Sequence, residues 1–419
     1  MPAVANIDLR QKFIVQRCDF ICDHRLDGGK HGFQPCGLSK VHGDPPLRHG
    51  AFVGGSVNQR LALLGVTWPY QPMIDAAKDI GMSLATLDGT LSRVVPGFAG
   101  AQKVSKFGTG QSNPTYLITA ASGRYVLRSK PLGALLPSAH AVEREFRVMQ
   151  ALAGSGVPVP RVLHLADAAT SPSGRAFYVM DYLDGRIFWD PALPEVAQDA
   201  RAAIYNAMNA ALAGLHDVDV AAVGLSDFGK PGNYFARQLD RWGRQYLASV
   251  AAPSPDMARI MAWLEQAMPP DDGQVALVHG DWRLDNMIFA RGRPDILGVL
   301  DWELSTLGHP LADLAYQCMQ WRLPNDGRMR GLGGIERAAH GLPTEAEYVA
   351  AYCARRGLPM IDNWAFYLVF AFFRLAAILA GVAARADSGN ASNPDQARAY
   401  GQAVPVLAAL ALQVTRDGP

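Results

Sequence analysis

Leu277-Val-His-Gly-Asp-Trp-Arg-Leu-Asp-Asn286, followed by Val299-Leu-Asp-Trp-Glu303, decides how this chain reads. His279, Asp281 and Asn286 form an H-G-D-x-x-x-x-N pattern, and the acids Asp301 and Glu303 lie downstream. Between them, Met287-Ile-Phe-Ala290 and Ile296-Leu-Gly-Val-Leu300 are short apolar runs around the turn Arg291-Gly-Arg-Pro-Asp295, which predicts a hairpin. Such a hairpin folds Asn286 and Asp301 back towards each other. Two carboxylates and an amide then converge on one point, a set of oxygens suited to magnesium. H-G-D alone recurs by chance; the series of loop, hairpin and second acid does not.

In kinases the Asp of an H-x-D-x-x-x-x-N loop takes the proton of the acceptor hydroxyl, and the Asn binds Mg²⁺. Asp281 is therefore the expected catalytic residue, with Asn286 and Asp301 as metal ligands. Glu303 is expected to touch a second metal ion or hold the loop. His279 is expected to brace the catalytic loop, and Asp313 to anchor it.

Composition sets the frame. The 419 residues offer ample length for a core, and 39 basic against 38 acidic residues leave no imbalance that would point to nucleic acid or an anionic membrane. Cysteines 18, 22, 36, 318 and 353 form no disulfide framework, and the opening residues lack a continuous apolar run; a cytoplasmic protein is expected. Residues 1–72 hold four of the ten histidines and three of the five cysteines with little periodicity. Cys18, Cys22, His24, His31 and Cys36 match no regular zinc spacing. A disordered extension is expected there, or one that comes from an upstream start codon.

Outward from the acidic loop the chain divides into two lobes. Residues 88–183 read as a β-rich lobe. Its strands are expected at 104–107, 114–119, 125–128, 157–163 and 177–182, with one conspicuous helix at 140–153. Residues 184–419 read as helical, at 197–216, 235–251, 255–268, 311–321, 344–356, 364–385 and 403–414. The run 364–384 is long and apolar enough to cross a bilayer, but Arg374 near its middle favours a buried core helix whose arginine faces a partner or a cleft.

In the first lobe, Gly108-Thr-Gly-Gln-Ser-Asn113 is a loop of small residues between two strands. Its backbone N–H groups can cradle phosphates, with Gly108, Gly110 and Ser112 as candidates. No P-loop sequence occurs. On the next strand Arg128 and Lys130 share a face, and one of them is expected to reach the phosphates of ATP. Glu143 and Glu145 on the following helix are both available to orient that cation.

These motifs together resemble the protein-kinase-like superfamily of small-molecule kinases, in the aminoglycoside phosphotransferase and choline kinase branch. Glu145-Phe-Arg-Val-Met-Gln-Ala-Leu-Ala-Gly-Ser-Gly-Val-Pro-Val-Pro160 is similar to that family's element of a helix followed by G-V-P-x-P. Its first residue is the ion-pairing Glu, so the resemblance selects Glu145. Arg128 stands where kinases usually carry lysine, which leaves Arg128 and Lys130 as alternatives. Val179-Met-Asp-Tyr-Leu-Asp-Gly185 resembles the linker that receives adenine, which implicates Asp181. Within the branch, four segments resemble a phosphotransferase subfamily found alone or fused to acyl-CoA dehydrogenases. They are Gly110-Gln-Ser-Asn-Pro-Thr-Tyr116, Pro137-Ser-Ala-His-Ala-Val-Glu-Arg-Glu145, Leu300-Asp-Trp-Glu-Leu-Ser-Thr-Leu-Gly308 and Pro310-Leu-Ala-Asp-Leu-Ala-Tyr316. The resemblance covers roughly residues 90–400.

The resemblance implies an α+β, protein-kinase-like bilobal fold: a β-rich N-lobe with one main helix, and a mostly helical C-lobe. It implies ATP and Mg²⁺ as cofactors, and phosphoryl transfer to the hydroxyl of a small molecule. The link to fatty-acid oxidation implies a hydroxylated acyl-CoA as acceptor. Acids and arginines balance at seven each over 331–419, whereas a polycationic aminoglycoside favours a surplus of carboxylates. Aminoglycoside or choline/ethanolamine phosphorylation and a catalytically silent nucleotide-binding scaffold stand as alternatives.

Overall fold

Alternation along one strand explains how the N-lobe is layered. In β6 (Phe177–Asp181), Phe177 and Val179 face one apolar cluster while Tyr178 and Met180 face another, as a period of two requires. The computed structural model describes residues 74–75, 79–107, 113–131, 141–325, 329–387 and 400–418, which all belong to one compact unit. The sheet runs in the order β1-β2-β3-β4-β6-β5, antiparallel throughout. Its other strands are β1 (Ile74–Asp75), β2 (Ala101–Lys106), β3 (Thr115–Ala120), β4 (Gly123–Ser129) and β5 (Val162–Ala166).

One face of the sheet is closed by α1 (Leu84–Val94), which buries Leu87 and Leu91 against Phe98, Val104, Tyr116, Ile118 and Leu127. The other face is covered by α2 (Val142–Leu152), whose Val142, Val148, Met149 and Leu152 join a core continuous with the C-lobe. Arg128 lies two residues beyond Val126, which belongs to that second core, so strand geometry turns Arg128 towards α2.

The helical lobe comprises α3 (Gln198–His216), α4 (Tyr234–Ser249), α5 (Pro255–Gln266), α6 (Leu311–Cys318), α7 (Glu345–Arg356), α8 (Trp364–Asp387) and α9 (Ala403–Asp417). Caps fix several ends: Ser254 and Pro255 start α5, while a Thr344–Glu347 capping box opens α7 and Gly357 at φ +62° closes it. Helix α8 packs against α9, α4, α6 and α5, and 94% of its most apolar stretch is buried. It is a core helix, as its central arginine suggests. Two small ribbons interrupt the helices. β7 (Ala276–Val278) pairs with β10 (Thr306–Gly308), and β8 (Met287–Phe289) pairs with β9 (Ile296–Val299) as the expected hairpin.

Some boundaries differ from the sequence reading. Ordered structure starts before residue 88, because Ser83 caps α1 by accepting from the Thr86 N–H. The strand expected over 157–163 begins only at Val162, since Pro158 and Pro160 have no N–H to give a ladder. The Pro158 carbonyl instead accepts from the Val299 N–H at 2.8 Å and ties the N-lobe to the hairpin. Helix α6 stops at Cys318 and tightens into a 3₁₀ turn, Met319–Trp321. The expectations for residues 1–72 lie outside the described residues.

The lobes join at Gly185, where a Cβ would fall 2.4 Å from both Ile288 Cγ2 and the Phe289 carbonyl oxygen. Gly185→Ala should therefore cost about 1–3 kcal/mol, read as a lower midpoint in urea unfolding.

Candidate active site

The acidic loop is held from below by one buried carboxylate. Asp313, in the first turn of α6, accepts from the His279 N–H at 2.6 Å and from the Gly280 N–H at 2.8 Å. His216 of α3 backs it, with Nε2 3.5 Å from Asp313 Oδ2 and Nδ1 2.7 Å from the Tyr352 hydroxyl. Burial alone would raise the Asp313 carboxyl; His216 and the Gly280 N–H outweigh it and hold the group below its usual value. Burial lowers His216, against the pull of Asp313.

The loop residues then constrain one another. His279 Nε2 lies 2.8 Å from the Leu300 carbonyl oxygen, and its Nδ1 accepts from the Asp281 N–H at 3.2 Å. That pairing puts the ring proton on Nε2, donated to a carbonyl, and makes His279 a brace. Gly280 has φ +82°, and a Cβ there would stand 2.7 Å from the Leu304 carbonyl oxygen; the glycine of H-G-D is sterically required. Asn286 Nδ2 donates to the Asp281 carbonyl at 2.8 Å and to Asp281 Oδ2 at 3.0 Å. The Leu300 N–H donates to the Asn286 carbonyl, so the β8–β9 hairpin brings Asp301 beside Asn286. Asp301 itself has φ +65° and opens the 3₁₀ turn Trp302–Leu304.

From the N-lobe, Arg128 reaches the same place. Its Nε is 2.9 Å from Glu145 Oε2, and its Nη2 is 2.9 Å from Asp301 Oδ1 and 3.8 Å from Glu303 Oε2. Burial would lower the guanidinium's pKa, but Glu145 and Asp301 outweigh it and leave the group above its usual value. Glu145 also accepts from Asn113 Nδ2 at 2.8 Å and from the Tyr178 hydroxyl at 3.1 Å. Burial nevertheless raises the Glu145 carboxyl, with Arg128 opposing. Lys130 points elsewhere, pairing at 2.6 Å with Glu143 in a half-exposed position. The geometry thus joins Arg128 with Glu145, and Lys130 with Glu143.

Charge indicates what the cluster can hold. Among the described residues, five largely buried carboxylates, Glu145, Asp281, Asp285, Asp301 and Glu303, pair with the guanidiniums of Arg128 and Arg283. Burial pushes the Asp285 carboxyl up to about 6, against Arg283 and with help from Asp281. Their hard oxygens suit a hard cation such as Mg²⁺, which takes one or two carboxylates and completes its shell with water and phosphate oxygens. Among the described residues no three His, Cys, Asp or Glu side chains form a ready-made metal centre.

Asp281, His279, Asn286, Asp301, Glu303, Arg128 and Glu145 are therefore gathered together. Lys130 and Asp181 are not: Asp181 pairs with Arg161 at 2.9 Å on the lobe's outer side. Gly108, Gly110 and Ser112 lie outside the described residues. Sequence reasoning missed the roles of Asn113 and Tyr178 in holding Glu145. Asn113 sits in the very loop quoted for phosphates, and Tyr178 is a polar ring inside an apolar strand; both were available signals. Arg283 and Asp285, two residues apart within the loop, were likewise passed over.

The family described as "Phosphotransferase enzyme family" matches residues 103–367. The chain belongs to this family. A Ralstonia eutropha structure provisionally named an aminoglycoside phosphotransferase is 43% identical, with a TM-score of 0.72 over 80% of this chain and 98% of its own. Mouse acyl-CoA dehydrogenase family member 10 is 44% identical over 344 residues, covering 81% of this chain and 32% of its own length. The human family member 11 is 36% identical over 79% of this chain and 43% of its own length. The chain thus spans less than half of these curated relatives. Spectinomycin phosphotransferase shares the fold, with a TM-score of 0.52 at 11% identity over 78% of this chain and 97% of its own. The phosphotransferase fold is the bilobal kinase-like one: an antiparallel N-lobe sheet above a helical C-lobe.

Removing Arg128 strands three buried carboxylates, so Arg128→Ala should cost about 3–5 kcal/mol, whereas Lys130→Ala should stay within about 1 kcal/mol; denaturant unfolding compares the two. His216 is lowered in the folded state, so its contribution is present above the unfolded value of 6.5 and is lost as pH falls through the folded value. Thermal midpoints of the native chain should drop from pH 7 to pH 5 more steeply than those of His216→Gln.

Proposed function

We propose that this chain transfers the γ-phosphoryl group of ATP to a hydroxyl of a hydroxylated acyl-CoA. The observation that carries the phosphotransfer is the ion-pair chain Glu145–Arg128–Asp301, which ends beside the Asp281–Asn286 pair. In this reading Asp281 orients the acceptor hydroxyl and takes its proton on the carboxylate. Asn286 and Asp301 would hold Mg²⁺, with Glu303 alongside. When bound, the metal ion supplies positive charge to the phosphate oxygens. Arg128, rather than Lys130, is the N-lobe cation beside the phosphates. The backbone of 179–183 receives adenine. Structural neighbours support ATP use: the spectinomycin enzyme was solved with ADP and spectinomycin.

The acyl-CoA acceptor rests on the relatives, which carry acyl-CoA dehydrogenase names, and on the even charge of residues 331–419. A second reading, an antibiotic acceptor, is favoured by the name of the Ralstonia structure.

The test is to incubate the purified protein with ATP–Mg²⁺ and a panel of hydroxyacyl-CoAs, aminoglycosides and amino alcohols, and to read products by mass. A phosphorylated hydroxyacyl-CoA is expected. A phosphorylated aminoglycoside or amino alcohol instead would move the acceptor, and bound but unspent ATP would mean a silent scaffold. Asp281→Asn should lower turnover by about 10²–10⁴-fold while nucleotide binding persists; unchanged turnover would place the base elsewhere.

A further inference from the structure

Arg374 stands near the middle of the apolar helix α8 and is 6% exposed. Its Nε is sealed from solvent without an acceptor, and among the described residues it forms no ion pair. A buried guanidinium without a carboxylate costs several kcal/mol unless something else balances it. Its surroundings are the rings of Trp242 and Tyr316, 5.9 and 5.8 Å from the guanidinium carbon, and one hydrogen bond, from Nη2 to the Gly280 carbonyl at 3.1 Å. Both rings lie within cation–π range.

The hydrogen bond falls on a critical peptide. The carbonyl that Arg374 holds belongs to the Gly280–Asp281 peptide, whose N–H end is held by His279 Nδ1. The preceding peptide's N–H goes to Asp313 Oδ1. Gly280 therefore has a buried anion on its N–H and a buried cation on its C=O. Arg374 and Asp313 thus hold opposite ends of one glycine. With no Cβ and φ +82°, that glycine has no side chain of its own to fix its orientation.

We propose that Arg374 is a positioning residue for phosphotransfer: it fixes the Gly280–Asp281 peptide and so aims the Asp281 carboxylate. This rests on the phosphotransfer reading, so the test has one arm independent of turnover. Hydrogen–deuterium exchange over residues 277–286 is compared in the native chain, Arg374→Lys and Arg374→Met. Met should lose protection in this loop while the rest of α8 keeps it, and Lys, which still donates to a carbonyl, should recover most of it. Unchanged protection in Met overturns the proposal, and so does a loss spread evenly over the helical lobe. In the second arm, ADP formation from ATP–Mg²⁺, with water or the acceptor found by the panel, should show kcat reduced about 100-fold in Met at unchanged KM for ATP. Partial recovery is expected in Lys. A raised acceptor KM with intact kcat overturns the proposal and makes Arg374 an anion-binding residue. Absence of turnover in the native chain would sink the functional reading alone, and exchange would still decide how the loop is held.

Discussion

The contact on which the rest depends is the buried pairing of Arg128 with Glu145 and Asp301. It spans three elements, since the arginine comes from β4, the glutamate from α2 and the aspartate from the turn after β9. Each partner is too buried to ionise alone at low cost, so each requires the others to be in place. Helix α2 is thereby fixed to the sheet above and to the β8–β9 hairpin beside it. Arg144 adds a second tie from the same helix, donating to the Ser305 carbonyl at 3.2 Å and the Phe228 carbonyl at 2.9 Å. Lobe orientation and the geometry of the acidic cluster are in this sense one property of the molecule.

A similar economy governs the catalytic loop. Asp313 lies in the first helical turn of α6, where the helix dipole favours a negative charge, and spends both oxygens on backbone N–H groups of the loop. His279 spends both ring nitrogens on backbone partners. In the H-G-D sequence, His279 and Gly280 therefore fix the backbone shape on which Asp281 is carried.

What could be read from the sequence follows from how local each feature is. The hairpin between Asn286 and Asp301 was legible because its length and its turn are encoded in adjacent residues. Helix α8 was legible because its apolar run is continuous, and its arginine argued for burial within protein. The choice between Arg128 and Lys130 was not legible: both lie on one face, and the choice depends on which glutamate of α2 the fold brings inward. Asp181 was assigned by resemblance to a linker whose contribution is its backbone, and its side chain turns to Arg161. In Val157-Pro-Val-Pro160 the apolar alternation reads as strand, but the two prolines lack the N–H groups a ladder needs. The partner of Arg374 is a carbonyl in the loop after β7, far away in sequence, a relation no local pattern encodes.

Asp301 carries a further consequence. Its backbone sits at φ +65°, ψ +57°, where glycine rests easily and most residues with a Cβ do not. Arg128 pairs with the carboxylate at that spot, so two demands meet on one residue: the chain path asks for no side chain, and the ion pair asks for an acid. Aspartate is the short acid that tolerates the left-handed region, because its polar group can bond locally. The position is thus a compromise, in which some folding stability is given up to hold an acid on a backbone shaped for glycine.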